Sequence, residues 1–484
     1  MIRVAAALLS CVLFVSPSFA QIAPELGYVY PAGGKAGTTV NVQLGGAEWT
    51  PDMQFVCFDP RVKLEVLGPP GELFVPPPPY WFGAKGRLSS LPLLRERPAK
   101  FTLPADLPPG PIRWQASNAN GSTSVGVFIV STGTELMEDE KRKLPQPLPA
   151  PPVYVNGRLW KNEEVDRYSF KAVAAGPVTC ELAARRLGSS FHGVIEVHDA
   201  KGVLVAEAVD TEGNDPALTF AAAAGAEYTI AVRDIDHAGD RSFVYRLDVR
   251  SGPRVLATIP AAGQRGESRE VEFLVSTGAK IESVKKPVAF PAIEAESFPF
   301  KLDTPWGSAA HAMPLSDLKD LPALAAPGAI TGNFATPSAE VKYPLTGKKG
   351  DRWIILVEAR RFGSPVDPSI KLLGPDGKAV GMNDDLPGTT DAGLDYTLPA
   401  DGAYQLVVSD AGGSAASRAA IFRVSVYTPV DGFTLSVANQ KLNAPLGAKT
   451  PLAVKAVRTG NFKGPIALTL TGLPAVALDA ALTR

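Results

Sequence analysis

The sequence predicts an all-β chain, a multi-domain string of β-sandwich or jelly-roll modules, and three observations predict it. Short runs alternate apolar and polar residues with the period of two that a half-buried strand requires, as in Val40-Asn41-Val42-Gln43-Leu44 and Ile112-Arg113-Trp114-Gln115-Ala116. Glycine and proline number 45 each in 484 residues, while apolar residues still make up 45%. Gly and Pro therefore punctuate a folded chain rather than mark a disordered one. Finally, a segment of about 70 residues occurs twice.

The N-terminus reads as an export signal. Met1-Ile2-Arg3 opens with positive charge, Val4 to Val15 is apolar, and Ser18-Phe19-Ala20 offers small residues before Gln21, the expected first residue of the exported protein. The apolar run is shorter than the roughly 20 residues a membrane span needs. Leu8-Leu9-Ser10-Cys11 is the alternative, a lipid-attachment box, weakened by the apolar run continuing past Cys11. No later stretch is long and apolar enough to span a bilayer, so the expected location is secreted, periplasmic or cell-surface. A net charge of −1 without long charge blocks argues against a nucleic-acid partner. Beyond the signal only Cys57 and Cys180 remain, in different expected modules, so packed cores rather than disulfides must stabilise the chain.

Along the chain, residues 21–132 form a first sandwich. In it Asn118-Ala119-Asn120-Gly121 turns the chain into Val125 to Val130, a hairpin signal. Pro76 to Pro79 with Tyr80-Trp81-Phe82 is either an exposed patch for a partner or a loop covering the sandwich end. Residues 133–151 read as a proline-rich linker, with a helical turn or two over Glu135 to Lys143 and then a stiff extended run that sets a spacing between modules.

The repeat spans 152–250 and 326–428. At an offset of 175, Tyr168 lies on Tyr343, Arg185-Arg186 on Arg360-Arg361, Gly188-Ser189 on Gly363-Ser364, Gly202 on Gly377 and Asp210 on Asp385; after one inserted residue, Asp215 meets Asp391, Tyr228 meets Tyr404 and Asp234 meets Asp410. Strands are expected at Thr179 to Ala183 and Trp353 to Glu358, Val194 to His198 and Ser369 to Leu373, and Tyr228 to Val232 and Tyr404 to Val408. Residues 251–325, with Val271-Glu272-Phe273-Leu274-Val275 and a core Trp306, read as a small β-module. From 429 to 484, strands Phe433 to Val437, Pro451 to Val457 and Ile466 to Leu470 read as a partial sandwich that stops before it closes.

These motifs carry a resemblance. Asp166-Arg167-Tyr168-Ser169-Phe170, the turns Asp199-Ala200-Lys201-Gly202 and Gly374-Pro375-Asp376-Gly377, and the run Leu398 to Asp410 make both copies similar to the bacterial pre-peptidase C-terminal domain. The edges of the first sandwich, its Gly-rich opening and Ser117 to Ser124, resemble immunoglobulin-like IPT/TIG modules, and the assembly resembles planctomycete-type exported proteins. The resemblance implies a jelly-roll fold and an accessory role in secretion or in binding matrix or carbohydrate, with any catalytic domain elsewhere on the polypeptide.

The residues themselves show no nucleophile elbow, no phosphate loop and no close zinc pair among His192, His198, His237 and His311. The repeated Arg-Arg-x-Gly-Ser is expected to pair one arginine with an aspartate of its own module, the alternative being a basic spot for an anionic partner. Carboxylates crowd the second copy, where Asp367, Asp384, Asp385, Asp391 and Asp410 fall in or beside loops. Calcium takes six to eight hard oxygens on such a framework, and the resemblance, through collagenase relatives, adds calcium as the expected cofactor. The alternative is that these are turn and strand-end carboxylates. The first copy replaces Asp367 by His192 and Asp384 by Val209. The expected function is that of a non-catalytic surface or secreted protein binding extracellular glycan, matrix or envelope protein. The alternative is the accessory region of a secreted peptidase or other hydrolase.

Overall fold

The computed structural model describes residues 22–72, 94–141, 144–210, 215–413, 416–437, 449–459 and 462–469. The expected signal segment, its alternative lipid box and the Pro76–Phe82 patch lie outside them. The described residues form strands joined by turns, with no α-helix among them. The chain divides into two compact units, one of Met1–Ile259, Gly266–Leu315 and Gln440–Pro451, the other of Pro260–Arg265, Ser316–Asn439 and Leu452–Arg484.

The first unit opens with a four-stranded sheet and a five-stranded one, whose fifth strand, Gly121–Ser122, pairs with Gly110–Asn118. One orders Glu25–Tyr30, Thr39–Ala47, Arg95–Thr102 and Lys63–Val66; the other orders Gly33–Lys35, Gly126–Ser131, Gly110–Asn118 and Gln54–Cys57. Alternate residues meet between them, with Val42, Leu44, Phe101, Trp114, Phe128 and Val130 buried in one core. Phe101 stacks on Phe128 at 4.4 Å and meets Trp114 edge-on at 6.5 Å. The expected Asn-Gly hairpin is present: Asn118 pairs with Gly121, and the Asn118 amide oxygen accepts the Asn120 N–H.

Both copies of the repeat are eight-stranded sandwiches with one strand order. In the first, Val153–Arg158, Val244–Ser251, Gly176–Ala183 and Ala217–Ala222 face Asp166–Lys171, Glu227–Asp234, Gly193–Asp199 and Leu204–Val209. In the second, Gly328–Asn333, Ile421–Tyr427, Arg352–Glu358 and Ala392–Thr397 face Glu340–Gly347, Gly402–Asp410, Pro368–Leu373 and Ala379–Asn383. Every strand expected in the repeat forms. Gly202 and Gly377 close the same turn at φ of 79° and 77°, a left-handed conformation that glycine adopts without penalty. Cys57 and Cys180 are both free, the latter fully buried.

The proline-rich linker is not a spacer, and Glu135 to Lys143 is not helical over its described part. Thr134–Met137 runs parallel to Val153–Arg158, and Gln146–Pro147 runs parallel to Asp166–Lys171, so the segment adds one edge strand to each sheet of the first copy. The reason is electrostatic. Arg246 projects from the outer face of its sheet and is 3% exposed, and both its terminal nitrogens donate to the Glu135 carboxylate at 2.7 and 2.6 Å. The Asn156 amide donates to the same carboxylate at 2.9 Å. A buried guanidinium needs such a partner, and a strand at 134–137 delivers it.

The second unit repeats the device. Asp320 bridges Ala329 in parallel, as Glu135 pairs with Tyr154 in the first copy. Arg423, 2% exposed, donates to Asp320 at 2.7 Å, to Ser425 Oγ at 3.0 Å and to the Leu318 carbonyl at 3.0 Å. Thr331, standing where the first copy has Asn156, donates to Asp320 at 2.6 Å.

A second duplication, hidden in the sequence, follows. Tyr30-Pro31-Ala32-Gly33-Gly34-Lys35-Ala36-Gly37 has its counterpart in Ile259-Pro260-Ala261-Ala262-Gly263-Gln264-Arg265-Gly266, four residues of eight being identical. Thr39–Ala47 and Ser268–Ser276 show the same alternation of buried and exposed positions. The Ala36 N–H donates to the Ser131 carbonyl as Arg265 N–H does to Ser316, and Leu103 N–H to Thr38 as Phe290 N–H does to Glu267. The small module at 254–316 is thus a shortened counterpart of the first sandwich, packed around Phe273, Leu302 and Met313, with Trp306 against it.

Near the C-terminus, Gly432–Val437 pairs with Val454–Thr459. The strand expected to begin at Pro451 starts three residues later, and the described part of Ile466 to Leu470 forms no strand.

Asp320→Ala leaves Arg423 buried without its carboxylate, a loss on the order of 3–5 kcal/mol. Hydrogen exchange on the full chain should show protection falling across 328–333 and 421–427. Pairing Asp320→Leu with Arg423→Met should restore most of it.

Candidate functional site

The five aspartates singled out in the second copy separate into two groups once placed. Asp391 is 7% exposed, and its Oδ1 accepts the backbone N–H groups of Ala359 at 2.8 Å and Arg360 at 3.1 Å, capping the short 3-10 turn Arg360–Phe362. In the first copy Asp215 does the same for Ala184 and Arg185. The expected arginine–aspartate pair forms in the first copy, and in both copies the shared aspartate also binds the backbone of the motif. The guanidinium groups go mainly to neighbouring glutamates, Arg186 to Glu181 at 2.7 Å and Arg361 to Glu358 at 3.3 Å; Arg186 Nε also reaches Asp215 at 3.6 Å. Asp410 Oδ1 accepts the Asp367 N–H at 2.9 Å, as Asp234 Oδ1 accepts that of His192 at 2.9 Å. These acids organise the loop backbone.

Asp367, Asp384 and Asp385 differ. Asp367 Oδ1 is shielded from solvent and has no hydrogen-bond partner. Its carboxyl is pushed above the usual range, first by desolvation and then by the negative charges of Asp385, Asp410 and Asp384. In the first copy the same two positions hold His192 and Asp210, whose Nε2 and Oδ1 lie 2.5 Å apart. One copy thus sets an imidazole against a carboxylate where the other opposes two carboxylates. Among the described residues no three His, Cys, Asp or Glu side chains already converge with metal-ligand geometry. A cation would have to draw the Asp384-Asp385 loop onto Asp367.

The histidines do not form a pair. His192 is taken by Asp210, while His198 lies 3.8 Å from Glu196.

A feature the sequence did not reveal lies in the first copy. Asp166, of the Asp-Arg-Tyr-Ser-Phe strand, is buried, and the half-buried Glu138 lies beside it. Asp166 Oδ2 accepts the Tyr245 hydroxyl at 2.6 Å, and the Tyr245 and Tyr168 hydroxyls are 2.5 Å apart. Glu138 accepts the Arg158 N–H at 2.8 Å. Burial pushes both carboxyls up, and for Glu138 the neighbouring Asp166 charge adds to it. Glu140 and Glu164 also face the pair, and their negative charges push in the same direction. Val341 and Phe422 replace Asp166 and Tyr245 in the second copy, which therefore lacks this cluster. Glu138 sits in the supposed linker, so only its strand neighbours could have revealed it.

No protein-family model matches the chain, and no curated protein matches it. Among solved structures, it is similar to the pre-peptidase C-terminal domain of a collagenase from Bacillus anthracis, at 16% identity over 23% of this chain and 100% of that one, with a TM-score of 0.19. It is also similar to the M60 catalytic domain of Clostridium perfringens ZmpB with its CBM51 domains, at 9% identity over 67% of this chain and 42% of that one, with a TM-score of 0.16. A third is the Bacteroides ovatus mixed-linkage glucan utilization locus protein SGBP-B in complex with a heptasaccharide, at 8% identity over 82% and 72%, with a TM-score of 0.14. The described residues include no helix long and apolar enough to cross a membrane.

The acid pair makes stability depend on pH. Folded carboxyls held above their unfolded values bind a proton that the unfolded chain has released, so stability is full below the ordinary carboxylate range and falls as pH rises through neutrality. Protection of 153–158 and 244–251 should therefore decline from pH 5 to pH 8. Glu138→Gln should flatten that decline, and strands 328–333 and 421–427, which lack the pair, should not show it.

Proposed function

We propose that this chain is an exported, non-catalytic interaction protein that binds extracellular glycan, matrix or envelope protein, and that calcium orders the loop end of its second repeat. In this reading the two eight-stranded sandwiches are pre-peptidase C-terminal-type modules, and the first sandwich is of the IPT/TIG type. What carries it is where the two copies agree and where they part. They agree in the eight strands of the sandwich, in the buried acid–arginine pair and in the aspartates that cap backbone. They part at the loop end, where His192 and Asp210 stand against Asp367, Asp384 and Asp385. A duplicated scaffold that keeps its framework and varies its loops is the usual arrangement of a recognition protein.

Calcium takes carboxylate and carbonyl oxygens in a flexible shell. Asp367, Asp384 and Asp385 would hold it, with Asp410 keeping the Asp367 backbone in place. Bound to the native state alone, the ion stabilises by about 2.7 kcal/mol at a hundredfold excess over its dissociation constant.

Millimolar calcium should slow hydrogen exchange across 366–393 in the full chain relative to chelator, and Asp384→Ala with Asp385→Ala should remove the difference. Asp367→His, which copies the first repeat, should make the loop calcium-independent while keeping it ordered. Equal exchange with calcium and chelator in the unaltered chain would return these acids to a turn-forming role. Retention of the full chain on glycan, matrix or envelope material tests the wider reading, and no retention on any of them would overturn it.

A further inference from the structure

Within the first unit, the first sandwich and the first repeat face each other across a cleft of about 410 Å³, inside the roughly 300–1,000 Å³ range of small-molecule sites. Strand alternation makes it. Ile112, Trp114, Phe128 and Val130 point into the first sandwich's core, which turns Pro111, Arg113, Val127 and Ile129 to the outer face. The opposite wall belongs to the repeat, where Tyr154, Glu181, Ala183 and Asp248 stand on the outer face of their sheet. Contacts beside the cleft fix the two walls. Ala32 packs with Ala183 and Leu187, and Arg246 lies against Gly33, where a Cβ would come within 2.4 Å of the guanidinium.

The charges in this cleft are nearly balanced. Glu181 takes Arg186 at 2.7 Å and Arg250 at 3.1 Å, and Asp248 Oδ2 takes Arg250 at 2.5 Å. Asp248 Oδ1 is left without a hydrogen-bond partner, although burial already holds this carboxyl above its usual range. Arg113, exposed on the facing wall, forms no ion pair among the described residues. A cationic ligand would meet guanidinium groups on both walls. A ligand that donates a neutral hydroxyl, accepts from a guanidinium and lays an apolar face on Pro111, Val127 and Ile129 would match every part. A pyranose ring has that combination of C–H faces and hydroxyl edges.

We propose that this cleft binds a saccharide unit, with Arg113 donating to a ring or hydroxyl oxygen and Asp248 accepting from a hydroxyl after its carboxylate turns about the broad χ2 well. The proposal rests on the interaction reading above and gives it a location and a ligand class.

The test titrates the full chain by calorimetry with neutral gluco-, manno- and galacto-oligosaccharides and with oligogalacturonate. At least one should bind, and Arg113→Ala and Val127→Trp, both on the outer sheet face, should each weaken it by about tenfold or more with hydrogen exchange of the two sandwiches unchanged. A preference for oligogalacturonate would assign the Arg113 contact to a carboxylate, and a preference for a neutral sugar would assign it to a hydroxyl. Binding that survives both substitutions would overturn the cleft while leaving a glycan-binding chain. If no oligosaccharide binds but matrix or envelope protein is retained, the cleft again fails and the wider reading stands. Failure of every ligand would sink both.

Discussion

Arg246 and Arg423 occupy one position in two copies of a sandwich, each nearly sealed from water on what would otherwise be a solvent face. Each needs a carboxylate, and in each copy it comes from four residues past a serine that ends the preceding module: Ser131 to Glu135, Ser316 to Asp320. Desolvating a guanidinium is costly unless a partner is in place, and removing that partner costs more than the pair itself contributes. The pair therefore fixes the path of the segment that carries the acid. In the first unit this converts a proline-rich stretch into two edge strands.

The docking in that unit has further consequences. Arg158, one strand away, donates to Glu96 at 2.8 Å and lies between the Tyr30 and Trp160 rings at 4.2 and 3.7 Å. Tyr28, Tyr30 and Val244 close an apolar cluster beside it. Two sandwiches so joined present a cleft of fixed shape, whereas a flexible spacer would let its walls drift apart.

The two copies act as each other's control. The shared acids Asp215 and Asp391, and Asp234 and Asp410, bind backbone. Where they differ, a charge or a hydroxyl has been exchanged as a group: His192 with Asp210 against Asp367 with Asp385, and Asp166 with Tyr245 against Val341 with Phe422. The second exchange keeps the buried interior consistent, because an unpaired buried hydroxyl or carboxyl is not tolerated at low cost.

The sequence by itself determined the all-β class, the repeat and the position of its strands. Those follow from period-two alternation and from turn residues such as Gly202 and Gly377, which are local properties of the chain. It also singled out the aspartates of the second copy, because carboxylate density is visible in one dimension. What each aspartate does was decided only in three dimensions, since capping the backbone of residues 359 and 360 from position 391 requires strands some thirty residues apart to be neighbours. The same holds for Glu135, Glu138 and Asp320: the titratable side chains they meet, Arg246, Asp166 and Arg423, lie about 28 to 111 residues away, and no spacing rule connects them. The shortened counterpart of the first sandwich was hidden for a related reason. The stretch between Thr39–Ala47 and Arg95–Thr102, which includes the strands Gln54–Cys57 and Lys63–Val66, has only a tight turn as its counterpart between Ser268–Ser276 and Ile281–Ala289, which destroys any constant offset while leaving the hydrogen bonds that define the fold in place.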